Sequence, residues 1–363
     1  MIEIRTLTDG GQTPAEIAAE LEAFLAPAQR TLELALYDVR LTGEVGDRVR
    51  DALLGAQTRG VAVRIAYNVD HPGPGKGPPP PETDPELLES IPLPTRGIPG
   101  RPDLMHHKYV VRDSEAVWTG STNWTNDSWS REENVIVRLV SSGIAAAYQE
   151  DFEQLWQLRD VEKSGKVPGD PVQVNGAIVR PWFCPRRSQK LVHRISAAIG
   201  HAKRIRIASP VLTSGPILAT LAEVVGDGRA DVAGVIDATQ IHEVLGQWAQ
   251  SPNSSWKTPS LLKVLRDAPF SGKRSTPYAP GSVHDYMHAK VTVCDDTAFV
   301  GSFNLSHSGE TNAENVLEIA DAAIADRMAA FVDDVRERYP SVELTVRVRV
   351  RKPHRWRFRR KAR

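Results

Sequence analysis

The 363-residue chain holds only two cysteines, Cys184 and Cys294, far apart and outside any Cys-x-x-Cys pair. That spacing argues against a disulfide framework or a cysteine-based zinc site, and both thiols are expected in the core. No stretch approaches the roughly 18 consecutive apolar residues of a membrane span, so an integral membrane protein is not expected. Met1-Ile2-Glu3-Ile4-Arg5 lacks the basic and apolar regions of a secretion signal, which makes the cytoplasm the expected compartment, with peripheral membrane contact open. Net charge is missing too: 45 Lys and Arg balance 45 Asp and Glu. The balance hides an asymmetry, because residues 347–363 carry 10 basic side chains and no acidic one, leaving 35 basic against 45 acidic before them.

A chain of this length can bury two cores of ordinary size. Ile17, Leu21, Phe24 and Leu25 fall at helical spacing, Leu32 to Leu36 alternate as a strand, Gly46 to Gly60 read as a second helix, and Val61 to Ala66 as a second strand. Further strands are expected at Ala116–Trp118 and Asn134–Val140, then a helix with Ile144, Tyr148, Phe152, Leu155 and Trp156 on one face. The order recurs from Leu191, with matching elements offset by 173 residues (Leu32 to Ile205) and 182 (His106 to His288). This predicts a duplicated α/β sandwich: residues 1–162, a linker at 163–171, residues 172–346, and a basic tail at 347–363.

Chemistry-bearing residues repeat with the scaffold. The first series is His106-His107-Lys108, Asp113, Gly120-Ser121-Thr122-Asn123 and Glu133-Asn134-Val135; the second is His288-Ala289-Lys290, Asp295, Gly301-Ser302-Phe303-Asn304 and Glu314-Asn315-Val316. Asn and Glu stand 10 residues apart in both. On a strand His106 projects with Lys108, and His288 with Lys290, while His107 points away.

A phosphodiester in its transition state spreads negative charge over non-bridging oxygens, so a site for it needs fixed cations and donors. Lys108 and Lys290 suit that role, with Ser121, Asn123, Ser302 and Asn304 as neutral phosphate-binding donors. Two histidines can divide nucleophilic attack and proton donation if they hold opposite protonation states. Glu133 and Glu314 are the expected orienting partners of those histidines, and Asp113 and Asp295 are expected to brace the architecture. Each motif supplies one histidine and one lysine, so the active site is expected at the interface of the halves, in a monomer.

Paired His-x-Lys-(x)4-Asp motifs, each followed by Gly-Ser-x-Asn and a Glu, resemble the phospholipase D superfamily. The resemblance implies a duplicated phospholipase D-like α/β sandwich with pseudo-twofold symmetry. It also implies a phosphohistidine route with no metal or other cofactor, and it carries the two histidines over to His106, as nucleophile, and His288, as acid. The expected activity is hydrolysis or transfer at a phospholipid headgroup ester. A nuclease acting on DNA or RNA and an inactive polyanion-binding protein are the alternatives. The loops Asp70–Arg101 and Gly246–Val283 are expected to frame substrate access, Gly73 to Gly77 is read as a stiff surface loop, and the basic, aromatic-interleaved tail is expected to seek anionic lipid or nucleic acid.

Overall fold

The computed structural model describes residues 1–69, 88, 91–100, 103–251, 254–279 and 281–342. The tail at 347–363 and most of Asp70–Arg101 lie outside the described residues.

The first sheet contains β1 (Ile2–Leu7), β2 (Thr31–Leu36), β4 (Ala62–Val69), β5 (Thr95–Pro99), β6 (Lys108–Arg112), β7 (Ala116–Gly120) and β9 (Asn134–Val140), in the order β1-β9-β7-β6-β2-β4-β5. The second contains β10 (Val172–Val174), β11 (Ala177–Cys184), β12 (Arg204–Ser209), β13 (Asp231–Asp237), β14 (Phe270–Lys273), β15 (Val291–Cys294), β16 (Thr297–Gly301) and β17 (Glu314–Ala320), in the order β10-β11-β17-β16-β15-β12-β13-β14. From β11 onward the second order repeats the first strand for strand. A two-stranded pair joins β3 (Val39–Arg40) to β8 (Trp124–Thr125).

Helices cover both faces of each sheet. Outside the first lie α1 (Pro14–Leu25) and α2 (Gly43–Thr58). α1 begins at a capping box, in which the Thr13 side chain accepts from Glu16 N and Glu16 reaches back to Thr13 N; it buries Ile17, Leu21, Phe24 and Leu25. Outside the second lie α4 (Ser188–His201), α5 (Gly215–Asp227) and α7 (Thr258–Asp267), with α6 (Ala238–Gln250) beside them. The inner faces carry α3 (Ser142–Leu158), capped by Ser141, and α8 (Ala322–Arg338), capped by Asp321. One apolar cluster runs through this inner layer, joining Tyr109, Val137 and Phe152 to Val179, Val291 and Phe331. The two halves therefore share a core.

Two features depart from the reading of the sequence. Residues 2–7 form an edge strand antiparallel to β9. The Gly246–Val283 stretch is largely regular, because Leu261, Val264 and Leu265 share one face of α7 and Phe270–Lys273 extend the sheet beside β13. Cys184 and Cys294, by contrast, lie where the sequence reading puts them, free and buried in strands; burial holds Cys294 up at about 12 and Cys184 well above its ordinary value.

Candidate active site at the interface of the halves

Each motif is anchored by the opposite half. His106 N donates to Ala313 O at 2.9 Å, and His288 N donates to Glu133 O at 3.2 Å. His106, Lys108, His288 and Lys290 are all buried and close enough to perturb one another's charge. Each lysine also donates to the carbonyl of its own motif histidine at 2.5 Å. Lys108 lies over the Tyr37 ring, 4.8 Å from its centroid, and the same ring meets His106 edge-on.

Burial first, and the motif lysines next, hold both histidines well below the ordinary imidazole value. Burial lowers Lys108 to about 7 and depresses Lys290 strongly, with Lys108 adding to the effect on Lys290. The cationic forms of all four side chains are therefore costly in this buried centre.

His106 Nδ1 lies 2.8 Å from Glu314 Oε1, across the interface. Burial raises the Glu314 carboxyl to about 7. Glu314 in turn accepts from Ser302 Oγ at 2.5 Å and from Asn312 Nδ2 at 3.2 Å.

Glu133 has a different place. Its carboxylate accepts from Lys273 Nζ at 3.0 Å, from Asp9 N and from Tyr339 OH, and it touches neither motif histidine. The His288 ring instead faces Asn134 Oδ1, 3.1 Å from Nδ1, with Glu132 Oε2 at 3.5 Å. Strand register explains the difference. Gly120 pairs with Ile136, whereas Gly301 pairs with Val316, so Asn134 occupies the position of Glu314 and Glu132 that of Asn312. Aligning the two Glu-Asn-Val triplets by sequence misplaces them by one residue. No local signal marks the slip, because only the pairing partner of each glycine reveals it.

Ser121 and Ser302 use their one hydroxyl hydrogen within the scaffold: Ser121 donates to Asn134 Oδ1 at 2.7 Å, Ser302 donates to Glu314, and each accepts from the backbone of the facing strand. They hold the partners of the histidines, and no second hydrogen is left for a phosphate oxygen. Asn123 Oδ1 and Asn304 Oδ1 are buried without a hydrogen-bond partner. Asp113 accepts from the backbone N–H groups of Gln29, Arg30 and Thr31, and Asp295 from those of Lys203 and Arg204; both close strand ends. His107 points into the shared core, against Asp151 at 3.0 Å and Asn315 Nδ2 at 3.1 Å, on the face opposite His106.

The sequence reading missed a cluster at the rim: Asp38 binds Arg40 through two contacts, and Arg40 Nη2 lies 2.8 Å from His284 Nδ1. Among the described residues no group of three or more His, Cys, Asp or Glu is placed to hold a metal ion, and no helix is long and apolar enough to cross a membrane. A groove of about 540 Å³ between α1 and α2 touches none of the motif residues.

Two sheets of matching strand order that converge two His/Lys pairs on one buried centre define a duplicated phospholipase D-like α/β protein. The chain belongs to the family described as cardiolipin synthase, PLD-like domain, whose model matches residues 21–156 and 191–335. Its relatives include the mitochondrial cardiolipin hydrolase of Xenopus laevis, 33% identical over 144 residues, covering 38% of this chain and 59% of that protein. The mitochondrial cardiolipin hydrolase of Chlamydomonas reinhardtii is 25% identical over 150 residues, 40% of this chain and 60% of that one. The chain thus spans about 60% of the length of these curated relatives. Among solved structures, the phosphatidylserine synthase of Haemophilus influenzae Rd KW20 superposes with a TM-score of 0.61 at 14% identity, covering 92% of this chain and 85% of that one. The polyphosphate kinase of Porphyromonas gingivalis gives 0.57 at 11% identity, covering 93% of this chain and 46% of that one. At these identities the likeness is one of fold.

Proposed function

We propose that the chain is a phospholipase D-type phosphodiesterase that cleaves, or transfers to an alcohol, the headgroup ester of a phospholipid. The observation that carries this reading is the convergence of two buried His/Lys pairs from opposite halves, with His106 backed directly by the Glu314 carboxyl group. The names of the curated relatives favour lipid over nucleic acid as the substrate.

In this proposal Glu314 keeps the hydrogen of His106 on Nδ1, so the Nε2 lone pair meets phosphorus. The P–N bond forms as the bond from phosphorus to the leaving oxygen breaks, and His288 Nε2–H gives its proton to that oxygen. Water or an alcohol then loses a proton to His288 and displaces His106. Lys108, Lys290, Asn123 and Asn304 hold the non-bridging oxygens. A bound phosphodiester anion offsets the cationic surroundings of His288 and favours its protonated form. Residues 1–162 and 172–346 act as the two half-sites joined by 163–171, and the tail at 347–363 is assigned to anionic surfaces.

The test incubates the protein with phosphatidylglycerol or cardiolipin liposomes and, separately, with labelled DNA and RNA. Headgroup release with intact strands is expected, and His106→Ala and His288→Ala should each lower it by at least about 10²–10⁴-fold. Strand cleavage without lipid turnover would replace the lipid reading with a nuclease. Salt-sensitive binding of either polyanion that survives both substitutions, with no turnover, would leave a binding protein.

A further inference from the structure

The two histidines do not have equivalent surroundings. At positions matched by strand register, the second half reads Asn312-x-Glu314 and the first reads Glu132-x-Asn134. Carboxylate and amide have changed places. His106 therefore meets a carboxyl group directly, at 2.8 Å, whereas His288 Nδ1 meets the Asn134 amide oxygen at 3.1 Å and reaches Glu132 Oε2 only at 3.5 Å.

The orientation of that amide is fixed from both ends. Its oxygen accepts from Ser121 Oγ at 2.7 Å, and its Nδ2 donates to Glu132 Oε2 at 3.0 Å. An amide oxygen facing the ring requires the imidazole hydrogen on Nδ1, which leaves Nε2 for the substrate. Glu132 is itself buried and accepts from Ser128 Oγ at 2.5 Å. Ser128 Oγ accepts in turn from Asn123 N, so this carboxylate is tied to the Gly-Ser-x-Asn loop as well as to His288.

We propose that Glu132 is the positioning residue of His288, acting through the Asn134 amide and across the 3.5 Å gap; this rests on the reading of His288 as the general acid. The charged and titratable groups facing His288 are Lys290 on its own motif, Lys108 and His106 from the first motif, and His284 on the preceding loop. Each of these opposes a proton on His288, and Glu132 is the carboxylate at ion-pairing distance that favours one. Glu132 is itself faced by Lys290 and Lys273, and burial lifts it to about 7. The longer contact gives His288 weaker support than a direct one would, so its proton is released more easily than that of a carboxyl-bound imidazole.

The experiment follows the imidazole signals of the full-length, histidine-labelled protein by NMR against pH, assigning His288 by its loss in His288→Ala. The pH dependence of kcat on phosphatidylglycerol vesicles is measured in parallel. In Glu132→Gln the His288 titration is expected to fall by about one pH unit, and the alkaline limb of kcat to move down with it, because a general acid works only while protonated. KM should stay within about twofold. Asn134→Asp, which puts a carboxylate directly on Nδ1, should move both upward, alone and in the Glu132→Gln background. An unmoved His288 titration and alkaline limb in folded Glu132→Gln would overturn the proposal. If that variant does not fold, the absence of an upward shift in Asn134→Asp would overturn it equally. A shifted titration in a chain that turns over no phosphodiester would support the positioning role and remove the catalytic reading.

Discussion

The buried carboxyls of this centre carry a stability penalty that depends on pH. Burial raises Glu314 from 4.5 to about 7, so the folded state binds its proton more tightly than the unfolded state does. A raised acid destabilises the fold as pH climbs through the window between those two values, by on the order of 3 kcal/mol once the window is crossed. Glu314→Gln is therefore expected to gain thermal stability relative to the parent from pH 4.5 to 7 and to hold that gain above it, while losing activity. Melting temperatures of the two proteins across that range check the sign; a difference constant with pH would contradict it. His107 is held inside the core between Asp151, at 3.0 Å from Nε2, and Asn315 Nδ2, at 3.1 Å from Nδ1. Position 289 holds Ala, and Val135 stands where the second half has Asn315, so this network exists on one side only.

Among the elements, the turn from β7 into the Gly-Ser-x-Asn segment is the most exacting. Gly120 has φ +146, and a Cβ there would stand 2.0 Å from Val135 O; at Gly301 it would stand 2.1 Å from Asn315 O. These contacts let Ser121 N and Ser302 N reach the same carbonyls at 2.9 Å. Glycine at both positions is thus a requirement of strand approach. Gly120→Ala should cost at least about 1–3 kcal/mol and displace Ser121 and Asn123 from the site. Urea denaturation combined with phosphodiesterase assay reads both effects, and unchanged stability would refute the close approach. The helices and most strands were legible because their apolar spacing and caps are local. The edge strand Ile2–Leu7 was not, since its pairing with β9 depends on a partner more than a hundred residues away.

For the whole molecule, the halves are held by a common core and by a buried ion cluster at their seam. Lys273 from the second half donates to Glu133 Oε2 at 3.0 Å and to Arg131 O at 2.6 Å in the first, and it pairs with Asp9 at 3.1 Å. Removing one member of a buried pair costs about 3–5 kcal/mol, because the partner is left charged and dry. Lys273→Ala is expected to lose about that much in chemical denaturation, and unfolding should remain a single transition because the inner apolar cluster spans both halves. Two separate transitions would show that the halves are not cooperatively joined.

By itself the sequence determined the duplication, the two His/Lys motifs and the side of the strand on which each histidine lies, because these follow from spacing along the chain. The tertiary structure alone decided which groups stand behind those histidines. A shift of one residue in strand pairing exchanges an amide for a carboxylate, placing Glu132 and Asn134 beside His288 and sending Glu133 to the seam. Register of that kind is set by contacts between distant strands, and nothing within either motif encodes it.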